Sequence, residues 1–178
     1  MKIVYYIILF VIIIALYETV HQCYRQYERK NIFKLAKQRS VELSKPLVVI
    51  GDPNNGGGSK LWGKTYTGGD YCIDLTGCPN EKQSINIKGD VVQSLRENFK
   101  DNSSVIYVSC VLEYVENIDE CISELKRVAG DNMFIVTVSP YCLMSRYYKF
   151  SLKLGDQSVS KNIIYSAPPY SDFKYRRI

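Results

Sequence analysis

Histidine occurs once in the 178 residues, at His21, and no two cysteines are spaced C-x-x-C. Structural zinc draws Cys and His ligands at such spacings, so no metal ligands are assigned. The same scarcity leaves no Ser–His triad, and no residue stands out as a general base. A basic surplus is also missing from the bulk of the chain. Residues 46–140 hold eight Lys/Arg against thirteen Asp/Glu. A domain that grips nucleic acid by its phosphates needs a basic face, so there is no strong nucleic-acid signal here. The net charge of +5 comes from the two ends, and residues 141–178 carry seven basic against two acidic side chains. That tail suits a membrane, a nucleic acid or the acidic core itself, and its composition does not choose among them.

Charge, glycine and proline are all absent from Ile3 to Tyr17, "IVYYIILFVIIIALY". A bilayer span needs about 20 apolar residues, with a lower limit near 17. The run reaches that length with Met1 and Thr19–Val20 included. We read residues 1–20 as a transmembrane anchor contacting membrane lipid. A cleaved signal peptide competes, although "ALYETVHQC" offers no A-x-A site. So does a buried core helix, although such a helix is rarely apolar on every face. Residues 21–45 form a basic juxtamembrane helix or linker. Seven basic residues lie between Glu18 and Lys45, so the positive-inside rule puts the C-terminal bulk in the cytosol of a single-pass protein. That compartment favours reduced thiols for the six cysteines, with the Cys72–Cys78 spacing leaving a bridge open. The abundance of Ile, Lys, Asn and Tyr fits an AT-rich genome, viral ones included.

Beyond the basic stretch, strand and helix signals alternate. "PLVVIG" (46–51) and "SVIYVSC" (104–110) are apolar runs of the kind buried on both faces of a parallel sheet. "DYCIDL" (70–75), "SINIK" (84–88) and "MFIVTVS" (133–139) are further strands. Asp90 caps a helix "VVQSLRENF", with Gln93 placed to complete a capping box. Asn117 caps another, in which Ile118, Cys121, Ile122, Leu125 and Val128 recur at helical spacing until Gly130. The expected fold is α/β: a Rossmann-like, mostly parallel sheet over 46–140 with flanking helices, preceded by the N-terminal transmembrane helix. Residues 141–178 form a basic C-terminal segment with one more strand, "NIIYSA", and a tail.

Ligands of such sheets bind beyond the carboxyl ends of the strands. The loop after the first strand offers Gly51, Asp52 and Gly56–Gly58, where backbone can approach a ligand closely. Strand two ends at Asp74, 23 residues after Gly51, near the spacing at which dinucleotide folds place a ribose-binding acid. Asp90 follows strand three, and Ser109 and Cys110 end strand four.

"GGDYCIDLTG", "IKGDVVQSL", "SSVIYVSCVLEYVENIDECISELKRVAG" and "FIVTVSP" together resemble the class I S-adenosylmethionine-dependent methyltransferases, over about residues 46–140. The resemblance implies that Asp74 holds the cofactor ribose and Asp90 the adenine amino group, with Val91 against the ring. Ser109 and Cys110 would floor the pocket beside the methionine portion, and Glu113–Tyr114 matches a Glu-His pair of that branch. The first loop departs from the family pattern. Val49 stands where an acid is usual, and Pro53 and Asn55 where glycines are.

Each feature keeps a plainer reading. Asp74 can be a turn former and Asp90 only a cap. Glu113 can be a surface residue, and Gly56–Gly58 a flexible loop. Trp62 and Tyr66 can pack on the core rather than cover a pocket, and "SAPPY" reads as tail. Two functions follow: a methyltransferase-like domain binding S-adenosylmethionine, or an inactive scaffold of the same fold in a membrane.

Overall fold

The computed structural model describes residues 2–51, 69–75, 77–78, 84–112 and 115–136. Asp52, Gly56–Gly58, Trp62, Tyr66, Glu113, Tyr114 and the segment 141–178 lie outside the described residues, as does the predicted end of the last strand.

The chain begins as one helix, α1 (Lys2–Leu43), followed by β1 (Leu47–Ile50), β2 (Tyr71–Asp74), β3 (Ile85–Lys88), α2 (Val91–Asn98), β4 (Val105–Ser109), α3 (Ile118–Ala129) and β5 (Met133–Val136). All five strands are parallel, in the order β3-β2-β1-β4-β5. The two apolar runs become the inner strands: every residue of β1 and of β4 is buried. The alternating "INIK" becomes the exposed edge β3, whose Lys88 helps deter further strand pairing.

Parallel sheets are covered on both faces. On one face α2 and α3 bury Leu95, Ile118, Cys121, Leu125 and Val128 against Val48, Ile50, Ile73, Ile106, Val108 and Ile135. Both helices end as their residues dictate. Asp90 Oδ1 accepts from the N–H groups of Val92 and Gln93, at 2.9 and 3.1 Å. The Gln93 side chain donates forward to Glu97, at 2.8 Å. The expected capping box therefore supplies its first half, while the Gln93 amide joins an i,i+4 pair. Asn117 caps α3 and Gly130, at φ +59°, ends it.

The other face is covered by α1. With no glycine or proline before Pro46, nothing interrupts this helix, which at 1.5 Å per residue runs for about 63 Å. Its last third buries Phe33 and Ala36 against Leu47, Val49, Val105, Tyr107 and Val136, with Phe33 edge-on to Tyr107 at 5.4 Å. The second half of the basic stretch 21–45 thus closes the core. Ser44, at φ +52°, reverses the chain, and the Ser40 hydroxyl donates to the Lys45 carbonyl at 2.6 Å to fix the turn. Among the described residues no element of the sheet domain covers the first third of α1. Large apolar side chains from Ile3 to Tyr17 are exposed, and the helix is apolar and long enough to cross a membrane.

Cys72 and Cys78 form a disulfide, so the expectation of reduced thiols fails at this pair. Cys23 and Cys121 are free thiols. The bridge ties strand β2 to the turn beyond it, and the Asn86 amide holds the Cys78 backbone through two 2.9 Å bonds.

Candidate functional site

The carboxyl ends of the strands open into a crevice of about 800 Å³. Ile50 and Gly51 reach it from β1, and Ile73, Asp74 and Leu75 from β2. Gly89 and Asp90 arrive after β3, followed by Val91, Val92 and Gln93 in the first turn of α2. Cys110, Val111 and Val115–Asn117 close it after β4, with Glu120 of α3 opposite. The sheet order turns back at β1, whose neighbours are β2 and β4, and the crevice spans that point.

Gly51, Asp74, Asp90, Val91 and Cys110 are therefore gathered in one cavity. Ser109 is not among its lining residues. It shares a strand face with Tyr107 and Val105, which put their side chains on the α1 side, and it is buried. Asp52 and Gly56 lie outside the described residues.

Local geometry separates structural from functional duties. The turn after β2 is made by the Asp74 carbonyl, which accepts from the N–H groups of Gly77 and Gly89, both at 3.1 Å. Gly51 is explained by packing alone. It sits at φ +72°, and a Cβ there would meet Val111 Cγ2 at 2.1 Å and the Ser109 carbonyl at 2.7 Å. Cys110 has a left-handed backbone, φ +52°, with its N–H donating to Val136, and its sulfur accepts from the buried Arg29 guanidinium of α1.

The cavity wall is acidic. Asp74, Asp90, Glu97, Glu116 and Glu120 face a single base, Arg96, among the described lining residues. Arg96 donates to Glu120 at 2.8 Å and to Glu124 at 3.1 Å. Hydrogen bonds to Glu124 and then Glu120 raise the Arg96 pKa. Arg127 is the main reason the Glu124 carboxyl lies below its usual range, with Arg96 adding to it against an opposing contribution from burial. Burial, helped by the charges of Asp90, Glu120 and Glu124, pushes the Cys121 thiol up to about 12, so this core cysteine is inert. Sequence reasoning missed the roles of Arg96, Glu97, Glu116 and Glu120 in the wall. The signal was the helical spacing from Val92 and Gln93 to Arg96 and Glu97, one turn on.

No family model, curated protein or solved structure matches this chain. Among the described residues no group of His, Cys, Asp and Glu could hold a metal ion.

Proposed function

We propose that this chain is a membrane-anchored, Rossmann-like, methyltransferase-like domain that binds S-adenosylmethionine in the carboxyl-edge crevice. The single observation that carries the reading is that Asp74 and Asp90, 16 residues apart in the chain, line the same cavity. A carboxylate at the end of a second strand suits a ribose diol, which donates two hydrogen bonds to it. The strand order, reversing at the first strand, is that of doubly wound nucleotide-binding sheets.

The cavity chemistry narrows the ligand. A helix N-terminus binds phosphate through its free N–H groups. Here Asp90 already accepts from the N–H groups of Val92 and Gln93, and its negative charge sits where a phosphate would go. Together with the acidic wall, this disfavours a dinucleotide or nucleoside triphosphate and favours a nucleoside carrying positive charge. S-adenosylmethionine, a sulfonium nucleoside, fits. The apolar Val91, Val92 and Val115 offer a surface for a base, and the volume lies within the roughly 300–1,000 Å³ of small-ligand pockets.

The scaffold reading rests on the first loop, where Pro53 and Asn55 replace glycines of the resembled family. Ligand titration of the full chain in detergent or nanodiscs separates the two. A ligand at 100 times its Kd adds about 2.7 kcal/mol of stability, visible as a melting shift. We expect a shift with S-adenosylmethionine and its demethylated product and none with NAD or ATP. No shift at millimolar S-adenosylmethionine returns the chain to the scaffold reading.

For the anchor, the apolar first third of α1 supports a single bilayer span. Two features bear on which side the domain occupies. The basic flank favours the cytosol, whereas a disulfide persists chiefly in oxidising compartments. The thiol state of Cys72 and Cys78 in the cell discriminates between them.

A further inference from the structure

We infer that the crevice opens toward the bilayer and that its second ligand is the amine headgroup of a membrane lipid. This rests on the proposed anchor and on the crevice as the ligand site.

The orientation follows from chain direction. Helix α1 leaves the apolar run, reverses at Ser44, and β1 starts three residues later. β1 therefore runs back along α1 toward the anchor, and the other four strands are parallel to it. Side-chain contacts fix the same direction independently. At the amino edge of the sheet, Arg39 donates to Asn132 at 3.0 Å, and Lys45 to Asn102 at 2.9 Å. At the carboxyl edge, Arg29 donates to Cys110. Arg29 precedes Arg39 by ten residues, about 15 Å of helix. From the Ile106–Asn132 bond to the Cys110–Val136 bond the sheet advances four residues, about 13 Å of strand. The two lengths agree, so the carboxyl edge is the anchor-proximal edge.

The separation is short. Arg29 follows Val20 by nine positions, about 14 Å of helix. The polar layer of a bilayer takes up roughly 5–8 Å of that on each side. The mouth of the crevice therefore opens about 6–9 Å beyond the headgroup layer.

Charge selects the headgroup. Beyond Asp74 and Asp90, the wall presents Glu97, Glu116 and Glu120, and the one base among its described residues, Arg96, is bound to carboxylates. Such a wall disfavours a headgroup of net negative charge and draws one that ends in an ammonium. A phosphatidylethanolamine-type amine, projecting outward from its phosphate, meets that requirement.

The test uses the full chain in nanodiscs containing equal phosphatidylethanolamine, phosphatidylcholine and phosphatidylglycerol. A fluorescent amino acid replaces Gln93 at the crevice or Asp131 at the amino edge, both exposed, and headgroup-spin-labelled lipid is the quencher. Position 93 is expected to quench several-fold more than position 131; equal quenching, or stronger quenching at 131, overturns the orientation. A photocrosslinking amino acid at 93 is expected to capture phosphatidylethanolamine in preference to the other two lipids, and free ethanolamine at the same total concentration is expected not to compete. Capture led by phosphatidylglycerol, or no lipid capture, overturns the headgroup assignment, and competition by free ethanolamine overturns the membrane source. Melting of the same discs with S-adenosylmethionine keeps the two proposals apart. A shift without quenching at 93 sinks only this inference, whereas quenching and amine-lipid capture without a shift sink only the cofactor.

Discussion

Asp90 has two separable duties, and two substitutions divide them. In the structure its Oδ1 accepts both cap bonds of α2, while the residue also lines the crevice. Removing a good N-cap costs about 1 kcal/mol, within a range of 0.5–2. The carboxylate beside the helix N-terminus adds roughly 0.3–1 kcal/mol. Asp90→Ala is thus expected to lose about 1–2 kcal/mol, roughly 2–8 °C in Tm per kcal/mol for a domain of this size class. Asp90→Ser keeps a capping oxygen and stays within about 0.5–1 kcal/mol of wild type. Neither retains a carboxylate for an adenine amino group, so both are expected to lose most of the S-adenosylmethionine-induced melting shift. The assay is thermal unfolding of the full chain followed by circular dichroism, with and without ligand. A serine variant that keeps the whole shift refutes the ligand role of the carboxylate. An alanine variant as stable as wild type refutes the capping argument.

Phe33→Ala removes a buried ring stacked edge-on to Tyr107 and is expected to cost about 3–5 kcal/mol, whereas the exposed Lys34→Ala changes stability by less than about 0.5; urea unfolding measures both. Deletion of residues 1–39 is expected to leave an insoluble or unfolded domain, because it strips Phe33 and Ala36 from the sheet. The Cys121 thiol, raised to about 12 when folded, gives a pH dependence of known sign. Stability is intact below the unfolded thiol value of about 8.5 and falls as pH rises from there toward 12, because only the unfolded chain releases the proton easily. Urea midpoints between pH 8 and 11 are expected to fall less steeply in Cys121→Ala. Maleimide labelling of denatured protein taken directly from cells is expected to leave Cys72 and Cys78 unmodified until reductant is added. Labelling of both without reductant places the domain in a reducing compartment.

Most of the sheet could be read from residues because inner parallel strands leave a blunt signature: "LVVI" and "VIYVS" have no polar alternation to misread. The caps were equally legible, since Asp90 and Asn117 act locally. What eluded the sequence is long-range. Between residues 21 and 43 the apolar positions that meet the sheet, Ile32, Phe33, Ala36 and Leu43, form a thin stripe among charges, and nothing local tells a sheet-covering stripe from a solvated helix. The thiol state of Cys72 depends on whether the chain folds Cys78 back beside β2. Ser109 illustrates a third limit: at a strand end the face is decided by register, and position 109 inherits the α1 side from Tyr107. The crevice itself was half legible. Asp74 and Asp90 could be placed by strand ends, but the acidic wall beyond them depends on how α2 lies beside α3.

Because α1 has no break between the apolar run and the sheet, the domain is mounted on a stiff mast rather than a tether. The apolar run of about 18 residues spans roughly 27 Å, slightly less than an average hydrocarbon core. A bilayer of that thickness would hold the mast nearly upright, and a thinner one would tilt it. Any tilt of the apolar end is carried whole to the carboxyl edge of the sheet, because α1 runs unbroken between them.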